Sequence, residues 1–164
     1  DLQLVQAVEK VNAKQKLRVF QYLNDYFNHD LKNKKIALLG LSFKPNTDDV
    51  RDSSSIVILD ELIRLGAIVQ AFDPEVKSLT GYGDQFVMTT SSYAAVENAD
   101  VVILATEWNT FRDLDFDRVK ALMKQLVFFD LRGIYSPEKL RSHGFEAYVI
   151  GRQLIASHVT ETTT

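Results

Sequence analysis

The chain has 164 residues, 46% of them hydrophobic, enough for one full core plus an appendage and too many for a miniature scaffold. With no cysteine it has no disulfide, thiolate metal site or cysteine nucleophile of its own, and a net charge of -3 without a basic cluster argues against nucleic-acid binding. No apolar run approaches the roughly 20 residues that span a bilayer, and the amino terminus lacks the order of a signal peptide, so a soluble cytoplasmic protein is expected.

Residues 2–28 contain neither Gly nor Pro, and Leu4, Val5, Val8, Val11, Val19, Leu23, Tyr26 and Phe27 recur mostly at helical spacing. One helix of that length would run roughly 40 Å, longer than a domain of this size is wide. Its first half, before the polar break at 12–16, is expected to contact something outside the fold; packing along its own domain is the alternative. A turn at Lys32-Asn33-Lys34 leads into an apolar strand at 35–40, whose unbroken run suits burial on both faces. A polar loop follows, then Asp52-Ser53-Ser54-Ser55 caps a helix over about 54–65 that Gly66 can close. A second strand at 68–72 stops at Asp73-Pro74. Further strands are expected at 86–88, 100–105, 126–130 and 145–150. Helices are expected from Ser91 or Ser92 to Val96, over about 116–124, and from Pro137, which suits a first helical turn. Such alternation calls for a parallel sheet covered on both faces. The end, 157–164, is polar and threonine-rich and reads as a flexible tail.

In an open parallel sheet, ligands bind beyond the carboxyl ends of the strands. The loop after the first strand carries two cations there, Lys44 and Arg51, bracketing a helix amino terminus that favours anions. They can hold a polyanion such as a diphosphate, or can be solvated and balanced by Asp48, Asp49 and Asp52. Pro45 biases Lys44 toward an extended conformation. Gly40-Leu41-Ser42-Phe43-Lys44-Pro45 is a poor dinucleotide fingerprint, with Ser42 and Pro45 where the second and third glycines belong. Asp73, 33 residues after Gly40 rather than about 20, reads as a turn residue before a ribose-binding acid. Arg132, after the strand at 126–130, can join Lys44 around one ligand or can pair with Asp130. Trp108, at the same edge, reads as a lid or packing residue before a base-stacking platform. His29, His143 and His158 share no ligand-like spacing, and no nucleophile elbow or Walker loop is present.

Taken together, GLSFKPNTDDVRDSSSIVILDELIRLGAIVQAFDP, ADVVILATEWNTF, VFFDLRGIYSPEKL and GFEAYVIGR, spread in order over about 35–152, resemble the carboxyl-terminal domain of the UDP-glucose/GDP-mannose dehydrogenases. The resemblance implies a Rossmann-like α/β fold: an open parallel sheet with helices on both faces, at 31–156, preceded by a long amino-terminal helix. It further implies that Phe43, Lys44 and Arg132 contact a UDP-sugar and that Arg51 reaches NAD held by a separate amino-terminal domain. Leu131 stands where relatives often carry Gly. Residues 1–30 resemble the end of a central helix that forms a homodimer contact. The essential cysteine of the family is absent, so the chain is expected to be the substrate-binding part of an enzyme oxidising UDP-glucose to UDP-glucuronate, and inactive alone. A stand-alone nucleotide-sensing or dimerisation module, or a UDP-N-acetylhexosamine or GDP-mannose dehydrogenase domain, are the alternatives.

Overall fold

The computed structural model describes residues 18–150. The first half of the helix expected over 2–28, the dimer contact expected of it, and the tail expected at 157–164 lie outside the described residues. Residues 18–26 are helical (α1), and Val19, Leu23 and Phe27, spaced by four, are buried together against the sheet. The helix stops where Asn28 and His29 take positive φ, and a turn with Asn33 at φ 62 leads into β1 (Lys35–Leu39).

From there strands and helices alternate: α2 (Ser54–Arg64), β2 (Ile68–Phe72), β3 (Phe86–Met88), α3 (Ser92–Val96), β4 (Val101–Leu104), α4 (Phe116–Leu122), β5 (Val127–Asp130), α5 (Pro137–Ser142) and β6 (Glu146–Val149). Side chains of Ser53, Ser91, Asp115 and Ser136 accept backbone N–H bonds at the starts of α2, α3, α4 and α5. The helix expected to reach residue 124 is shorter. Met123 is already extended, and the Lys124 N–H donates to Ala99 O at 2.9 Å, so a bond to the neighbouring connection ends the helix.

Among the described residues the six strands form one parallel sheet in the order β3-β2-β1-β4-β5-β6. Alternate residues of each strand serve opposite faces. Ile36, Leu38, Val69, Val101 and Phe129 pack with α1 and α2, while Ala37, Leu39, Val102, Leu104 and Phe128 pack with α3, α4 and α5. Burying each large aliphatic or aromatic side chain contributes about 1.5–3 kcal/mol, so this two-faced core holds the strand ends in fixed positions. At the amino-terminal edge, Tyr26 Oη donates to Gln125 Oε1, Gln125 Nε2 donates to Asp100 Oδ1, and the Lys35 N–H donates to Asp100 Oδ2. That chain of bonds ties α1 to the starts of β1 and β4. The opposite edge is left for loops.

Candidate functional site

The sheet order reverses between β1 and β4: the chain winds outward from β1 to β3, then returns to place β4 on the other side of β1. The loops after these two strands diverge, which opens a crevice at their carboxyl ends. Loops after β1, β4 and β5 bring Phe43, Lys44, Glu107, Trp108 and Arg132 to this edge.

The loop after β1 is built on a glycine and an aspartate. Gly40 has φ +97, and a Cβ there would lie 2.5 Å from both Thr106 Cβ and Oγ1. Only glycine permits that approach of the two loops. Asp73, 1% exposed, accepts the N–H groups of Leu41 and Ser42 through Oδ2 and those of Glu75 and Val76 through Oδ1. The loop closes through a 2.7 Å bond from the Phe43 N–H to Asp49 O, and Ser53 Oγ donates to Leu41 O at 2.8 Å. A dinucleotide clamp does not fit this geometry. Ser42 is buried, Pro45 has no N–H, and the Asp73 carboxylate is engaged by four backbone amides in place of a ribose.

Out of this fixed base project Phe43, 50% exposed, and Lys44, also exposed. Among the described residues the Lys44 ammonium has no ion-pair partner. Arg51 is different. Its side chain is 86% exposed and forms a forked pair with Asp49, Nε to Oδ1 at 3.0 Å and Nη2 to Oδ2 at 2.9 Å. Hydrogen bonds from Arg51 hold the Asp49 carboxyl down at about 2.

Across the crevice, the Arg132 guanidinium does not pair with Asp130. Its Nε donates to Ala105 O at 2.8 Å and lies 3.2 Å from Glu107 Oε2, and neither terminal nitrogen makes a hydrogen bond among the described residues. The Asp130 carboxylate instead accepts the N–H groups of Arg132, Gly133 and Tyr135 and shapes the turn. Leu131 donates its N–H to Leu104 O at 3.0 Å and packs on the α1 face, so the turn before Arg132 is held without glycine. Trp108 is 7% exposed and packed in the core beneath β4, a packing residue whose Nε1–H reaches Ser42 Oγ at 3.3 Å.

Lys44 and Arg132 thus reach one edge, each with nitrogens that make no hydrogen bond among the described residues, as their positions after β1 and β5 suggest. Arg51 lies on the same loop as Lys44 but is tied to Asp49. Sequence reasoning missed Glu107 as the partner of Arg132, and Thr106 and Ser42 as the contact between two loops. A signal existed only for the carboxylates, since an aspartate ends or follows β2 and β5 where a turn needs acceptors. Among the described residues no group of His, Asp and Glu could hold a metal ion, and no helix is long and apolar enough to cross a membrane.

The profile of the UDP-glucose/GDP-mannose dehydrogenase family, UDP binding domain, matches residues 37–137. Among curated proteins, the UDP-glucose 6-dehydrogenase of Pseudomonas aeruginosa is 38% identical over 159 residues, covering 93% of this chain and 35% of that protein. That of Rhizobium meliloti is 39% identical over 152 residues, covering 92% and 35%. The chain therefore spans about a third of the length of these relatives. Among solved structures, an NDP-N-acetyl-D-galactosaminuronic acid dehydrogenase from Methanosarcina mazei superposes with a TM-score of 0.71 over 85% of this chain and 29% of that one, at 23% identity, a likeness of fold. A UDP-glucose dehydrogenase from Pyrobaculum islandicum gives 0.61 over 75% and 31%, at 28% identity. With its profile match, its relatives and its six-stranded parallel sheet in agreement, the chain belongs to the UDP-glucose/GDP-mannose dehydrogenase family.

Proposed function

We propose that this chain is the UDP-sugar-binding part of an NAD-dependent UDP-glucose 6-dehydrogenase, which oxidises UDP-glucose to UDP-glucuronate. The observation that carries the reading is the two cations at the carboxyl-terminal edge of the sheet: Lys44, without an ion-pair partner among the described residues, and Arg132, whose Nε faces Glu107 and Ala105 O while its terminal nitrogens make no hydrogen bond among those residues. Charged donors held without partners at a strand edge suit a diphosphate, and the exposed Phe43 ring beside them supplies an apolar surface that a bound nucleotide sugar can cover. The curated relatives named UDP-glucose 6-dehydrogenase support the choice of sugar. With no cysteine in the sequence, the covalent chemistry that the family resemblance implies falls to residues outside it. NAD, which the loop after β1 does not fit, is assigned to a separate domain. Arg51, exposed on the outer side of the same loop, is assigned to reach that cofactor.

Calorimetric titration with UDP tests the site in the full-length protein. Charge-assisted hydrogen bonds contribute about 1.5–3 kcal/mol, so Lys44→Ala is expected to weaken UDP binding about 10- to 100-fold. Unchanged affinity would move the site elsewhere. In the same protein Arg51→Ala is expected to raise KM for NAD more than KM for UDP-glucose; the opposite order would refute its role. Turnover with UDP-glucose set beside UDP-N-acetylglucosamine decides the sugar, and preference for the latter would replace that part of the reading.

A further inference from the structure

Ser42 is buried with every hydrogen-bonding group engaged, while the side chains of its two successors, Phe43 and Lys44, are exposed to solvent. Its N–H donates to Asp73 Oδ2 at 3.1 Å, and its carbonyl accepts from Thr106 Oγ1 at 3.2 Å. Its hydroxyl donates to Lys44 O at 2.9 Å and receives Trp108 Nε1–H at 3.3 Å. The direction of that last pair is settled by chemistry, because an indole nitrogen only donates and a serine hydroxyl has one proton to give. Donation therefore runs from Trp108 to Ser42 to the Lys44 carbonyl. Ser42 is 1% exposed, Thr106 0% and Trp108 7%, so these bonds lie out of water, where an unpaired polar group is costly.

The consequence falls on Lys44. Pro45 fixes its own φ and restricts the residue before it to extended backbone. With the Lys44 carbonyl also held, little backbone freedom remains, and the ammonium is presented from a fixed origin. We propose that Ser42, Thr106 and Trp108 are positioning residues of the UDP site, through which the loop after β4 holds Lys44 of the loop after β1 in its binding conformation. The proposal rests on the assignment of Lys44 to UDP. It also gives a reason for serine where a dinucleotide fingerprint has glycine: the position holds a loop in place and is too buried for a phosphate to approach. Ordering the loop in advance removes part of the entropic cost of binding.

Calorimetric affinity for UDP in the full-length protein is the measurement, on Ser42→Ala, the near-isosteric Thr106→Val and Trp108→Phe, each alone and combined with Lys44→Ala. Ser42→Ala is expected to weaken UDP binding about 3- to 10-fold, the size of one net hydrogen bond. In the Lys44→Ala background the same change should cost less than about 2-fold, because coupled residues are not additive. Trp108→Phe should likewise add little once Ser42→Ala is present. A general loss of stability would instead weaken binding by the same factor in both backgrounds, and that outcome overturns the proposal. So does full affinity in both Ser42→Ala and Thr106→Val while Lys44→Ala binds weakly, a result that leaves the UDP assignment standing. If Lys44→Ala itself has no effect, or the unaltered protein does not bind UDP, the assignment fails and takes the positioning role with it.

Discussion

Asp130 closes β5 with a carboxylate that is 0% exposed and surrounded by backbone donors. Burial pushes its carboxyl above the ordinary value of 3.8, and the N–H bonds from Tyr135, Arg132 and Gly133 offset part of that rise. An acid whose pKa is raised on folding keeps its proton in the native state while the unfolded chain has released it. Stability therefore falls as pH rises from 3.8 through the folded pKa. In Asp130→Asn this titration is gone, and the cost of turning an amide nitrogen toward one of the donors does not vary with pH. We expect the stability of the native chain relative to Asp130→Asn, from urea unfolding at a series of pH values, to decline as pH climbs out of the acid range. A difference that stays flat or grows would sink the assignment. The same carboxylate orients the turn that carries Arg132, so one buried acid serves the proposed diphosphate site by shaping backbone.

The loop between β1 and α2 is where local sequence and tertiary contact meet most closely. Gly40→Ala would place a Cβ 2.8 Å from the Thr106 backbone nitrogen as well as against its side chain, on a residue with φ +97. Backbone strain and overpacking each cost about 1–3 kcal/mol, so the variant is expected to lose about 2–6 kcal/mol in denaturant unfolding and to bind UDP weakly. A loss below about 1 kcal/mol, within the range of an ordinary surface change, would mean that the two loops separate freely. The strands themselves were legible, because unbroken apolar runs such as Ile36-Ala37-Leu38-Leu39 are what a strand buried on both faces requires. The neighbour of each strand was not. Hydrophobic periodicity says nothing about β4 returning to the far side of β1, yet that return creates the crevice. The Glu107–Arg132 contact was hidden for the same reason, since it spans 25 positions and exists only through the pairing of β4 with β5. The places of Lys44 and Arg132 could be anticipated because each lies in the loop after a strand; the role of Ser42 could not, because Asp73, Thr106 and Trp108 reach it from other loops.

Across the whole molecule, four of the six tyrosines hold their protons against alkali, and they are spread over both edges of the sheet. Tyr82 Oη donates to Asp60 on α2, and burial together with that carboxylate pushes it up to about 12. Tyr135, whose hydroxyl donates to Phe111 O at the carboxyl-terminal edge, is pushed up to about 12, chiefly by burial. Tyr26 at the amino-terminal edge and Tyr148, stacked on Phe129 at 4.5 Å, are raised as well, again with burial first. Each raised phenol stays protonated in the fold while the unfolded chain begins to lose protons near the ordinary value of 10.0. Above that pH the native state binds more protons than the unfolded one, so stability falls with rising pH, and the contributions of the four residues accumulate. Cooperative alkaline unfolding is the expected result: tyrosinate absorbance from these residues should appear late and together with the loss of far-ultraviolet circular dichroism. Replacing Tyr82 with Phe removes one titrating group and should shift the transition to higher pH, provided the ring still packs on Phe86 at 5.2 Å. If the four phenols instead ionise near pH 10 with the dichroism intact, their hydroxyls are open to solvent, and the packing that joins both edges of the sheet is looser than these contacts require.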